Sequence, residues 1–94
     1  MMAEIPIASE QPADVPTFGC IVYVSRGESG VVARVVNLDG IERTGGSERD
    51  ALSKIVPAFK KRIGELVQSG EAIPWVEPPP LEDGQQKRFI PVHL

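Results

Sequence analysis

The 94-residue chain has few of the side chains that usually build a catalytic or metal centre. It contains one cysteine, Cys20, and one histidine, His93. A single cysteine excludes an internal disulfide and any zinc site that needs several thiolates. A catalytic histidine needs a nucleophile and an orienting group beside it, and the sequence indicates neither. We therefore expect Cys20 to be a buried strand residue and His93 a surface residue, in a protein that is no enzyme and has no catalytic residues, metal or cofactor.

Long apolar runs are absent as well. No stretch approaches the roughly 18 consecutive apolar residues that a membrane-spanning helix requires. Residues 1–11 lack the basic segment followed by an apolar run that is typical of a secretory signal. We therefore predict a cytoplasmic protein without a membrane partner.

Positive charge is missing from the start of the chain. Residues 1–18 hold three of the 13 acids and none of the ten bases, so the remainder carries ten charges of each sign. This balance argues against a nucleic-acid groove, which needs a basic surface. Three prolines also interrupt the acidic segment. We predict a flexible N-terminal arm over residues 1–17 and one domain over residues 18–94.

The strongest pattern is an amphipathic helix between Ser47 and Gly70. Ser47 is a typical N-cap, Asp50 stands where a capping box has its acid, and Gly70 is a typical stop. Pro57 falls on the polar side, so we expect one kinked helix, with two short helices as the alternative. The apolar stripe that should lie on a sheet consists of Leu52, Ile55, Val56, Phe59, Ile63, Leu66 and Val67.

Three segments before the helix have the composition of β-strands. Residues 18–24 are apolar at successive positions and predict a central strand. Residues 30–38 fit its hairpin partner, closed over a loop from Ser25 to Gly30. After the turn signal Asp39-Gly40, residues 41–44 predict a polar edge strand.

The part after the helix predicts a connection and a last strand. Residues 71–84 hold four prolines, four acids and no base, which favours an extended connection. Residues 87–94 alternate like a strand, and Pro91 restricts it to an edge of the sheet or to a bulge. The sequence therefore predicts an α+β, two-layer β-β-β-α-β sandwich: a three-stranded antiparallel sheet plus a C-terminal strand, with one long helix on one face. If the last strand lies beside the first, a right-handed crossover would make that pair parallel.

Carboxylates are the candidate binding residues. Six of them fall in predicted loops or on a predicted edge, where they would attract a basic partner. A divalent-ion site for a nuclease is a weaker alternative, because helix capping and turn formation already account for two of its four candidates, Asp39, Glu42, Glu48 and Asp50. The six candidate partner-binding residues are Glu28, Asp39, Glu42, Glu77, Glu82 and Asp83.

Five short motifs within residues 19–76 are shared with one known family. They are Tyr23-Val24 at the end of the first strand, GVVARVVNL from Gly30, Leu38-x-Gly40, Thr44-x-Gly46-x-x-x-Asp50-Ala51, and Gly70-Glu71-x-Ile73-Pro74. In these motifs the chain resembles the HicB-like antitoxin domain. It departs from that family at Asp39-Gly40-Ile41, where Pro-Gly-Cys is common, and at Asp50, where Glu is common.

The resemblance implies a partial ribonuclease-H-like fold and a protein-binding role. Such antitoxins sequester a small basic HicA-type toxin that cleaves messenger RNA. Many carry an added DNA-binding module, but the part after Trp75 is too short and proline-rich for one, so direct nucleic-acid binding is not expected. The alternative is an orphan, homo-oligomeric (dimeric) structural or regulatory module. A degenerate nuclease ranks last, because that superfamily has an acidic metal ligand in its first strand and residues 20–24 are CIVYV.

Overall fold

The computed structural model describes residues 17–94, which form a four-stranded sheet and one long helix. The sheet order is β3-β2-β1-β4, and every neighbouring pair is antiparallel. The predicted α+β class with the order β-β-β-α-β is confirmed. The predicted N-terminal arm lies outside the described residues, apart from its last residue, which begins the first strand. The elements are β1 (Thr17–Gly27), β2 (Gly30–Val35), β3 (Glu42–Gly45), α1 (Glu48–Ser69) and β4 (Gln86–His93).

β1 lies inside the sheet, between β2 and β4, and both of its faces are covered. Cys20 and Val22 are fully buried against the helix side, while Tyr23 on the other face is also buried. Its hairpin to β2 is tighter than predicted, since the strands pair as far as Gly27 and Gly30. Only residues 28 and 29 remain in the turn. We call the end of the sheet at which this turn lies the hairpin end.

α1 begins and ends where the sequence predicts. The Ser47 hydroxyl accepts the Asp50 N–H (3.1 Å), and the Asp50 carboxylate accepts the Gly46 N–H (3.0 Å). Gly70 adopts the left-handed conformation, with a φ of 76°, that ends the helix. The helix continues through the exposed Pro57, so the single-helix interpretation is correct.

The hydrophobic core lies between α1 and the sheet. Its helical contribution is narrower than the predicted stripe, because Leu52 and Val56 are half-buried and Val67 is 47% exposed. These three side chains lie on one flank of the helix rather than beneath it. The buried helix residues are Ala51, Ile55, Phe59, Ile63 and Leu66.

Two glycines allow β2, β3 and the start of α1 to approach closely. A Cβ on Gly30, whose φ is 128°, would lie 2.4 Å from the Gly45 carbonyl oxygen. A Cβ on Gly45 would lie 2.5 Å from the Ala51 nitrogen. By contrast, no atom lies within 4 Å of the corresponding position on Gly46. Close packing therefore requires glycine at position 45 but not at 46.

β4 lies beside β1, but the two strands are antiparallel. The parallel pair that was predicted for this position is therefore wrong. α1 starts at the hairpin end and finishes at the opposite end, so a strand that followed it directly would be parallel to β1. Instead, residues 71–84 carry the chain back along the sheet. Fourteen extended residues reach up to about 46 Å, whereas β1, with 11 residues, spans about 36 Å. The connection is therefore long enough to reverse the strand.

β4 forms one edge of the sheet, as predicted from Pro91. Ile21 accepts the Val36 N–H (2.8 Å), so its backbone groups face β2. Because successive residues of a strand direct these groups to alternate sides, Cys20 faces β4, where its partner is Ile90. Pro91, one residue on, faces the free edge. Its missing N–H therefore leaves no bond of the β1–β4 ladder unmade.

Candidate functional site

Where β2 ends, the side chain of Asn37 continues the hydrogen bonding to β1 that the backbone of β2 provides up to that point. Its side-chain oxygen accepts the Ile21 N–H (3.1 Å), and its amide nitrogen donates to the Gly19 carbonyl (2.9 Å). The side chain is 9% exposed and bridges two backbone groups that no longer face a strand. The sequence shows Asn37 only as a break in an apolar run, which is the signal that could have identified it.

Residues 71–84, which we call the strap, are fastened across the sheet. The Val76 N–H donates to the Asn37 carbonyl (3.0 Å) at the end opposite the hairpin. Farther along, the Tyr23 hydroxyl donates to the Pro79 carbonyl, on the sheet face opposite the helix. The Trp75 ring lies 6.4 Å from the ring of Phe59 in the core. These contacts hold the strap in place although it has no regular secondary structure.

A cleft of about 610 Å³ separates the strap from the connection between β2 and β3. Three of the six predicted partner-binding residues, Asp39, Glu42 and Glu77, line it together with the guanidinium-bearing Arg34. We call this site the acidic cleft. Its apolar lining consists of Val35, Val36, Gly40, Ile41, Val76 and Pro79. Sequence separation hides this grouping, because Glu77 comes from the strap and the other two acids precede the helix.

The other three predicted residues lie elsewhere. Glu28 occupies the two-residue turn at the hairpin end. Glu82 and Asp83 belong to the turn that precedes β4, in which the Gln85 N–H donates to the Glu82 carbonyl (3.0 Å). β4 begins opposite Val24, so this turn also lies towards the hairpin end. The structure therefore divides the six predicted acids between two ends of the sheet.

Two of the four carboxylates considered for a nuclease, Glu48 and Asp50, have structural partners. Glu48 forms a two-point ion pair with Arg88, at 2.6 and 3.1 Å, and the hydrogen bonds from Arg88 lower the pKa of Glu48. Asp50 caps the helix, and the Gly46 N–H and then Lys54 lower its pKa. Within residues 17–94, no three His, Cys, Asp or Glu side chains come together so that they could hold a metal ion.

Cys20 and His93 have the environments that the sequence predicts. Cys20 is fully buried, and burial raises the pKa of its thiol to about 12, so the thiol stays protonated at neutral pH. His93 is exposed, and its Nδ1 lies 3.0 Å from the Thr17 hydroxyl. This contact joins the beginning of β1 to the end of β4.

No family model, curated protein or solved structure matches the chain. In the part that the structure describes, α1 is the one helix, and it is too polar to cross a membrane. The function proposed next therefore rests on the acidic cleft and on the motifs in the sequence.

Proposed function

We propose that the protein is a protein-binding module resembling a HicB antitoxin, which neutralises a small basic HicA-type toxin by covering the toxin's active surface. The observation that carries this proposal is the acidic cleft. Asp39, Glu42 and Glu77 come from two separate parts of the chain and meet around one concave surface. A cleft lined mainly by charges of one sign focuses the electrostatic field and attracts a partner of the opposite charge.

The charges of the cleft are available to a partner. Three carboxylates face one guanidinium, and none of the three forms an ion pair within residues 17–94. Lys or Arg side chains of a basic protein would therefore find acceptors there without displacing an existing pair. Charge complementarity of this kind speeds association and discriminates against acidic or neutral proteins.

The cleft is also held in a fixed shape. On one side, Gly40 has a φ of 89°, and the Val35 N–H donates to the Ile41 carbonyl (3.0 Å). On the other side, the strap is bonded to the sheet through Asn37 and Tyr23. Groups that are already in position lose less conformational entropy on binding. This supports recognition by a prearranged surface.

Exposed apolar side chains adjoin the acids. Trp75 and Val76, directly before Glu77, are 48% and 37% exposed. Protein interfaces commonly combine a buried aromatic or aliphatic anchor with a charged rim. A toxin that contacts both would be held by apolar burial and oriented by its charges.

The test looks for a small basic protein encoded by a neighbouring reading frame and uses it as the partner. Co-expression should yield a complex that weakens as salt is added, and its messenger-RNA cleavage should be inhibited. Changing Asp39→Asn, Glu42→Gln and Glu77→Gln together should weaken inhibition by about tenfold or more. The matched control, Glu28→Gln at the hairpin end, should inhibit like the unchanged protein. Undiminished inhibition by the triple variant would contradict the proposal, as would the absence of any complex.

A homo-oligomeric, most simply dimeric, module without a toxin is the second candidate. It is favoured by the number of large apolar side chains that the described residues leave exposed, since such side chains often mark protein contacts. These are Val67, Trp75, Val76, Leu81 and Phe89.

A further inference from the structure

The strap and the helix carry opposite charges. The strap has four acids and no base, although residues 17–94 taken together are almost neutral. The outer side of α1 carries the basic run Lys60, Lys61 and Arg62. The two elements follow each other directly in the chain. The four strap acids are Glu71, Glu77, Glu82 and Asp83.

These opposite charges do not neutralise each other within one molecule. Arg62 pairs with Glu65 on its own helix (3.8 Å). Lys60 and Lys61 have no ion-pair partner among residues 17–94, and neither do the strap acids. Each molecule therefore presents an unpaired acidic surface and an unpaired basic one.

Apolar side chains accompany both charged surfaces. On the strap, Trp75 and Leu81 are each 48% exposed. On α1, a shallow depression lies over the half-buried Leu52 and Val56 and the exposed Pro57. Apolar contact gives an interface most of its affinity, while charge selects the partner and its orientation.

We propose that the strap of each molecule docks on the α1 flank of a second copy, so that two copies form a dimer about a two-fold axis. Because a two-fold axis exchanges the two copies, the strap–helix contact occurs twice in such a dimer. Both ends of the strap lie next to α1, because the Trp75 ring contacts Phe59 and Gly84 lines one depression together with Glu48. Both surfaces are therefore close enough for one axis to relate the two contacts. The strap acids that the experiment changes, Glu82 and Asp83, lie outside the acidic cleft, although Glu77 and Trp75 belong to both proposed surfaces.

The experiment reverses each charged surface separately. One variant carries Lys60→Glu with Lys61→Glu, and the other carries Glu82→Lys with Asp83→Lys. The mass of the unchanged chain, measured by light scattering or sedimentation equilibrium, should be that of a dimer and should fall towards a monomer as salt rises. Each variant alone should dimerise at least about tenfold more weakly, because both its surfaces then carry like charge.

Mixing the two variants gives the decisive result. In a mixed dimer, the acidic strap of the Lys60→Glu, Lys61→Glu variant meets the unchanged basic helix of the Glu82→Lys, Asp83→Lys variant. The strap of the latter variant, now basic, meets the helix of the former, now acidic. The equimolar mixture should therefore recover the dimer. A control with Glu28→Lys and Asp39→Lys should dimerise normally, and circular dichroism should show that all variants are folded.

Three outcomes would overturn the proposal. The first is a wild-type chain that stays monomeric up to about 1 mM, where even contacts worth about 4 kcal/mol become visible. The second is dimerisation that both reversed variants retain. The third is a mixture that remains monomeric. All three outcomes are measured on the chain without a toxin, so they are distinguishable from a failure to inhibit one.

Discussion

Replacing Asn37 with alanine should remove much of the protein's stability, although Asn37 belongs to no regular element. In the folded chain this side chain accepts the Ile21 N–H and donates to the Gly19 carbonyl. Alanine can do neither. Because Asn37 is only 9% exposed, water has little access to the two backbone groups that would lose their partner.

The size of the effect follows from those two groups. A buried donor without a partner costs about 1–3 kcal/mol, and a buried carbonyl is tolerated somewhat better because its second lone pair often finds a contact. Together they give an expected loss of about 2–4 kcal/mol. A small domain has a total stability of about 5–15 kcal/mol. The substitution should therefore move the unfolding midpoint far to lower denaturant without abolishing folding.

Urea unfolding measures this loss, with Trp75 as the single tryptophan reporter and far-ultraviolet circular dichroism as the second signal. The midpoint should fall while the slope stays constant, since the surface exposed on unfolding hardly changes. Asp39→Ala, at an exposed position two residues away, is the control and should stay within about 0.5 kcal/mol of the unchanged protein. A loss for Asn37→Ala no larger than that of the control would refute the bridging role.

Other substitutions test the packing, the strap and the acid response. Gly45→Ala should destabilise the protein much more than Gly46→Ala, because only the former places a Cβ against the helix start; thermal unfolding compares the two. Tyr23→Phe removes one bond to the strap and should cost about 0.5–1.5 kcal/mol, with faster proteolytic cleavage of the strap. Because the pKa of Glu48 is lowered from 4.5, its contribution is present above pH 4.5 and disappears as the pH falls through the folded value. Glu48→Gln should therefore be less stable at pH 7 and lose less on acidification, and equal acid sensitivity of both proteins would contradict this assignment.

Local signals in the sequence predicted the parts of the fold that local chemistry determines. The helix limits follow from Ser47 and Gly70, whose roles depend on neighbouring backbone groups alone. The central place of β1 follows from its apolar residues on both faces, and the edge position of β4 from Pro91. In each case the deciding interaction is contained within a few consecutive residues.

The direction of β4 and the composition of the acidic cleft could not be predicted in this way. Both depend on the course of the strap, and that course is decided by its contacts with Asn37 and Tyr23, about 40 and 56 positions earlier in the chain. The same limit applies to Glu77, which the sequence marks only as one acid among several. Charge composition identified the strap as acidic. That Glu77 lies beside the β2–β3 connection depends on the tertiary structure, which the local sequence does not reveal.

The return of the strap also makes the β1–β4 pair the most costly contact of the sheet to close. β1, β2, β3 and α1 follow one another with short connections, so their contacts close small loops and can form early. β4 pairs with β1 across the greatest sequence separation in the sheet, from Thr17 to His93, and closing that loop has the highest entropic cost. Until β4 arrives, β1 is an edge strand whose outward backbone groups at Cys20 and Val22 are open to pairing with another chain. A chain in which β4 has not yet paired therefore exposes the strand edge that is most open to aggregation.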